Sequence, residues 1–215
     1  MKITIPALTL LFVSFASSSV SSETMESLLS NLNTKLEKRE LHDNSVVKGS
    51  LRVRLCQYCH GKDGNSVKND IPNLAQQNPV YLLKQFEYFR NGKRNNKVMN
   101  ELANNLTADE RVNIALYYAS KKVKQNAESK LIKVGLKHRG ETIYKKTCIN
   151  CHGEKAYGDK DLPRIAGQKY EFIVKTLRAY KDKKGVRPNS PMVPVSSLLS
   201  ADDILSIASY VTNMR

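Results

Sequence analysis

The 215-residue sequence predicts an all-α chain made of two tandem copies of one small domain. Three observations predict it. The string Cys-x-x-Cys-His occurs as Cys56-Gln57-Tyr58-Cys59-His60 and again as Cys148-Ile149-Asn150-Cys151-His152, and the two strings use all four cysteines. The segments downstream of each string also repeat: Pro72-Asn73-Leu74-Ala75-Gln76-Gln77 matches Pro163-Arg164-Ile165-Ala166-Gly167-Gln168, and Tyr81-Leu82-Leu83-Lys84 matches Phe172-Ile173-Val174-Lys175, both 91 positions apart. Apolar residues recur at helical spacing, and no run alternates as a strand does.

Residues 1–22 carry Lys2, an apolar stretch over 3–16 and a serine-rich end, the pattern of a cleaved signal peptide. The stretch is shorter than the ~20 residues of a membrane span, so a soluble protein exported to the periplasm is expected. Residues 23–44 form a charged, partly helical extension with no assigned role. The first domain is placed at 45–124, a polar linker at 125–129, and the second domain at 130–215.

Within the first copy, Pro79 suits the opening turn of a helix carrying Leu82, Leu83, Phe86 and Phe89. Thr107 and Glu110 form a capping box, followed by a stripe of Val112, Ala115, Leu116 and Ala119. Ser200 and Asp203 repeat that start, with Ile204, Ile207, Ala208 and Val211 behind them. Three main helices per copy are expected. A copy of about 90 residues is small for a core of its own, so a large apolar cofactor would supply much of the interior.

Two cysteines three apart on a helical turn share a face, where their thiols can add to two vinyl groups on one porphyrin edge while the next histidine meets the iron. Each string therefore predicts one covalently attached haem c, two in all. A zinc site and a redox dithiol are the alternatives. Neither explains a histidine after the second cysteine in both copies. Zinc half-sites usually lie within about 15–20 residues, whereas Cys59 and Cys148 are 89 apart.

A filled iron needs a second axial ligand, and thioether sulfur is a soft ligand that raises the potential. Met99 lies 39 residues after His60, and Met192 lies 40 after His152, on loops between corresponding helices. Core filler is the alternative role for such methionines. Met214 has no counterpart and is assigned to tail packing. Only His42 and His138 lie outside the motifs. They compete as ligands, but isolated histidines are more often surface residues. Pro72 and Pro163 mark places where a backbone carbonyl can accept the Nδ1 proton of the ligating histidine, with a plain turn as the alternative. Gly61 and Gly153 would let the chain turn close to the porphyrin.

These residues resemble class I cytochrome c, and the tandem arrangement resembles the dihaem cytochrome c4 family, over residues 48–213. The resemblance implies two tandem class I cytochrome c domains, each wrapped around one covalent haem c. It implies thioether bonds at Cys56, Cys59, Cys148 and Cys151, and iron ligands His60 with Met99 and His152 with Met192. It also implies a periplasmic electron carrier, often a donor to a terminal oxidase, and not an enzyme. The 23–44 extension and the basic charge depart from the pattern.

Loss of the signal removes only Lys2 among charged residues, taking the net charge from +15 to +14. Arg90, Lys93, Arg94 and Lys97 precede Met99, and Lys175, Arg178, Lys181, Lys183, Lys184 and Arg187 precede Met192. Such rims would steer an acidic redox protein or a membrane oxidase, and anionic lipid is a further partner class. A solvated face is the alternative. Export and covalent haem exclude nucleic acid. Two other functions share the motifs: an electron-transfer subunit of a dehydrogenase, such as flavocytochrome c sulfide dehydrogenase, and a dihaem peroxidase. Equivalent methionines in both copies argue against the peroxidase, which needs an open iron.

Overall fold

A computed structural model describes residues 23–124, 134–187 and 189–215. The predicted signal segment 1–22 and linker 125–129 lie outside them. Eleven helices succeed one another among the described residues, and the sole β-type pairing there is an isolated bridge between Asp159 and Leu162. The all-α expectation holds.

The helices divide into two units with separate cores. The first holds α1 (Met25–Glu37), α2 (Arg39–Arg52), α3 (Gln57–His60), α4 (Pro79–Arg90), α5 (Lys97–Asn104) and α6 (Ala108–Ala119). The second holds α7 (Val134–Thr147), α8 (Ile149–His152), α9 (Tyr170–Lys181), α10 (Met192–Ser197) and α11 (Ala201–Asn213). One core joins Leu83, Val112, Leu116 and Tyr118, and the other joins Tyr144, Ile204, Ala208 and Val211.

In each unit the helix before the motif crosses the last helix, α2 on α6 and α7 on α11. Glycine sets both crossings. A Cβ on Gly49 would lie 2.3 Å from the Asn113 carbonyl oxygen, and one on Gly140 would lie 1.9 Å from that of Ser206. The backbones therefore touch where any larger residue would hold them apart.

The last helices start as their capping boxes require. Thr107 and Glu110 exchange backbone and side-chain bonds at α6, and Ser200 with Asp203 does so at α11. An arginine then ties each box to the crossing helix: Arg52 Nε is 2.6 Å from Glu110 Oε1, and Arg139 Nη2 is 2.7 Å from Asp203 Oδ1. Hydrogen bonds from Arg139 and Ser200 hold the Asp203 carboxyl down to about 2. A lowered carboxyl stabilises the fold above its unfolded pKa, and this contribution is lost as pH falls through the folded value. The second unit should lose stability between about pH 4 and pH 2, and Asp203→Ala should flatten that part of a pH titration of unfolding while costing about 1 kcal/mol or less near neutrality.

Residues 23–44, to which sequence patterns assign no role, form α1 and the start of α2. Leu28 and Leu32 of α1 enter the first core, and α1 packs on α2, α4 and α6. Lys35 reaches Asp109 and donates to Asn113 Oδ1 at 2.9 Å. The buried Arg111 contacts Glu23, donates to the Leu106 carbonyl and places Nε 2.7 Å from Glu87 Oε1. The extension is thus a structural layer of the first unit.

The units meet through the repeated Pro-x-x-Ala-x-Gln segments. Gln168 Oε1 accepts from Asn73 N–H at 2.7 Å while its Nε2 donates to the Asn73 carbonyl at 3.0 Å. Gln77 grips Arg164 in the same way, at 2.7 and 2.9 Å. Because 73 pairs with 164 and 77 with 168 in the repeat, the contact is a local two-fold within one chain. Lys84 with Asp161 at 2.7 Å and Lys175 with Asp70 at 3.6 Å flank it.

Candidate haem sites

Each motif forms a single helical turn, α3 or α8, entered at its first cysteine. The turn ends at a glycine in the left-handed region, Gly61 at φ 78° and Gly153 at φ 76°. At Gly61 a Cβ would meet the Asn65 carbonyl oxygen at 2.1 Å, so the reversal there requires glycine.

The reversal brings the chain back over the histidine. His60 Nδ1 donates to the Pro72 carbonyl at 2.9 Å and His152 Nδ1 to the Pro163 carbonyl at 3.0 Å. The acceptor is the proline's own carbonyl in both copies. Both rings are buried, and burial lowers their pKa, only partly offset by those carbonyls. A neutral ring with Nδ1 committed leaves Nε2 as its free lone pair, the form that ligates a metal.

The cysteines are free thiols. Burial pushes the Cys56 thiol up, and burial with the neighbouring Cys151 pushes Cys148 up to about 11. These two thiols are protonated at neutral pH, the opposite of an activated redox dithiol. Among the described residues no three or more of His, Cys, Asp and Glu gather as a metal cluster, so the four cysteines make no common zinc site.

Met99 packs against the same core as Cys56, and Met192 against the same core as Cys148. The segments expected as loops are short helices here. Met99 is the third residue of α5, where the Asn96 side chain accepts its N–H at 3.1 Å, and Met192 opens α10. A cap three residues upstream converts the first segment to helix. His42 sits beside Asp43 and His138 is exposed on α7. Met214 packs on the second core.

The basic stretches are partly spent inside the fold. Arg94 lies 4.6 Å from the centre of the Phe89 ring and donates to Gln85. Arg187 covers the Tyr88 ring of the other unit at 4.9 Å and donates to the Tyr180 hydroxyl. Lys181 bonds the Leu199 carbonyl while remaining exposed. Lys93, Lys97, Lys183 and Lys184 stay exposed.

Residues 138–215 match the family model described as cytochrome c. Cytochrome c4 of Pseudomonas aeruginosa is 32% identical over 177 residues, spanning 78% of this chain and 87% of that relative. The chain belongs to the cytochrome c4 family. Reduced recombinant cytochrome c4 from Pseudomonas stutzeri has the same fold, with a TM-score of 0.70 at 26% identity over 78% of this chain and 97% of that one. A protein named thiosulfate dehydrogenase electron acceptor, from Thiomonas intermedia, is 33% identical over 148 residues, 64% of this chain and 66% of its own. Membership in the cytochrome c4 family makes this a haem-binding c-type cytochrome of electron transport. The donor set fits that group: neutral thiols, a buried imidazole with one nitrogen fixed, and a soft thioether bordering the same core.

Motif and composition alone assign no role to Gly49, Gly140, Gln77 or Gln168. Gly49 recurs as Gly140 and Gln77 as Gln168, both at an offset of 91, and that recurrence is the signal that marks them.

Proposed function

We propose that the chain is an exported, periplasmic dihaem electron carrier with one haem c in each unit. Cys56 and Cys59 would hold the first covalently, and His60 and Met99 would ligate its iron. Cys148, Cys151, His152 and Met192 would do the same for the second. The haem supplies a one-electron iron couple. The protein orients the imidazoles through the Pro72 and Pro163 carbonyls and offers a soft sulfur, which favours the reduced state. Two side-chain ligands on each iron would leave no position for a substrate, which supports a carrier over an enzyme.

The duplicated histidine-to-proline-carbonyl bond carries this reading: two sites are built to the same plan. Singly changing Met99 or Met192 to alanine should remove about half of the weak far-red band that sulfur gives to ferric haem. An unchanged band would refute that ligand.

The exposed lysines Lys93, Lys97, Lys183 and Lys184 would steer an acidic redox protein or a membrane oxidase, with encounter slowed by salt. Similarity to the thiosulfate dehydrogenase electron acceptor favours a second setting, in which the same carrier accepts electrons from a dehydrogenase partner. Stable co-purification with such a partner would select it.

A further inference from the structure

We propose that Gln168 and Gln77 are positioning residues that set the reduction potential of the haem in the opposite unit, each acting through one peptide group. This rests on the reading of His60 and His152 as iron ligands. The peptide joining Pro72 to Asn73 is used at both ends. Its carbonyl accepts His60 Nδ1 at 2.9 Å, and its N–H donates to Gln168 Oε1 at 2.7 Å. The peptide joining Pro163 to Arg164 repeats this, with His152 Nδ1 at 3.0 Å on the carbonyl and Gln77 Oε1 at 2.7 Å on the N–H.

The orientation of each glutamine amide is fixed. Its second arm donates Nε2 to the next carbonyl, that of Asn73 or Arg164, so a flipped amide would set N–H against N–H and oxygen against oxygen. Asn73, Gln77, Arg164 and Gln168 are all buried, where hydrogen bonds polarise one another most.

A peptide whose N–H is engaged carries more negative charge on its carbonyl oxygen. That oxygen draws harder on the histidine Nδ1 proton and makes the ring a more basic ligand, which favours ferric iron and lowers the potential. The arrangement is crossed: Gln168 belongs to the second unit but acts on the histidine of the first, and Gln77 does the converse. Docking of the two units and the potentials of their irons are thereby coupled.

The test is a redox titration of the full holoprotein, resolving the two haems by the NMR signals of their axial methionine methyls. Gln168→Met, which keeps length and loses both bonds to Asn73 along with the one Oε1 accepts from the Lys169 N–H at 2.9 Å, should raise the potential of the first haem alone. Chain polarisation of about 10–30% per bond corresponds to a two- to five-fold change in the ferrous-to-ferric ratio, or ~20–40 mV for one electron. Gln77→Met should raise the second haem alone. Lys84→Ala breaks a flanking ion pair without touching either peptide and should move neither. In the reduced protein the His60 Nδ1–H signal should move upfield in Gln168→Met.

Equal shifts in both haems, a shift in the haem of the mutated unit, or unmoved potentials would overturn the proposal. So would rapid hydrogen exchange at the Asn73 and Arg164 amides of the unaltered protein, a measurement that needs no variant. Unaltered protein lacking haem or methionine signals would instead fail the underlying ligand reading.

Discussion

Replacing Gly140 with alanine is expected to lower the unfolding midpoint of the second unit by roughly 10 °C or more. Two effects oppose each other. In an exposed helix alanine is favoured over glycine by about 1 kcal/mol. At Gly140 the new Cβ would sit 1.9 Å from the Ser206 carbonyl oxygen and 2.9 Å from Tyr210 Cβ, and a backbone oxygen inside a helix cannot swing aside. Overpacking of this kind costs about 3 kcal/mol and sometimes more, so the steric term wins by about 2 kcal/mol or more. Gly49→Ala should do the same to the first unit, against Asn113 and Tyr117. Gly135 is in the same helix with open space around its Cβ direction, so Gly135→Ala should leave the midpoint unchanged or raise it. Calorimetry of the three variants checks the ranking, and a harmless Gly140→Ala would contradict the close crossing of α7 and α11.

Arg111→Leu should be the most damaging single change in the first unit, at about 3–5 kcal/mol. Arg111 and Glu87 have side chains only 2% and 8% exposed, and their contact at 2.7 Å is an ion pair whose angle falls short of a hydrogen bond. Arg90 adds a bond to the other Glu87 oxygen at 3.1 Å, and Glu23 closes the network from the extension. Removing Arg111 leaves the buried Glu87 carboxylate, and Glu23 with it, to the half-exposed Arg90 alone. The double change Arg111→Leu with Glu87→Leu should recover much of the loss, because the cost lies in a buried carboxylate left with one cation in place of two more than in the missing attraction. Urea unfolding of the single and double variants reads the difference directly, and an unrescued double variant would place the cost in packing.

The parts of the fold that were legible in the sequence are those set by short-range chemistry. Thr107 with Glu110 and Ser200 with Asp203 announce helix starts because cap and acceptor lie three residues apart. The motif helices and their histidine-to-proline bonds were accessible for a similar reason, since a 12- or 11-residue loop returns to its own ring. Contacts across the chain were not legible. The glutamine grips join residues 95 and 87 positions apart, and no local pattern marks an amide that will meet a distant peptide. The 23–44 segment showed helical spacing, but which core would receive Leu28 and Leu32 depends on tertiary packing. Arg94 and Arg187 looked like surface cations, yet each is half-buried against an aromatic ring and a polar side chain. The Met99 segment turned helical because the Asn96 cap outweighs a run of polar residues there, whereas α10 has no side-chain cap and packs on α9.

Two sites of one design should each hold a haem and pass one electron. Counting covalent haems by intact mass and tracking a reductive titration of the same holoprotein tests it most directly. Two haems per chain are expected, with two one-electron steps and a far-red band in the oxidised protein that cyanide does not readily abolish at neutral pH. One haem per chain, or an iron that binds cyanide at once, would contradict it.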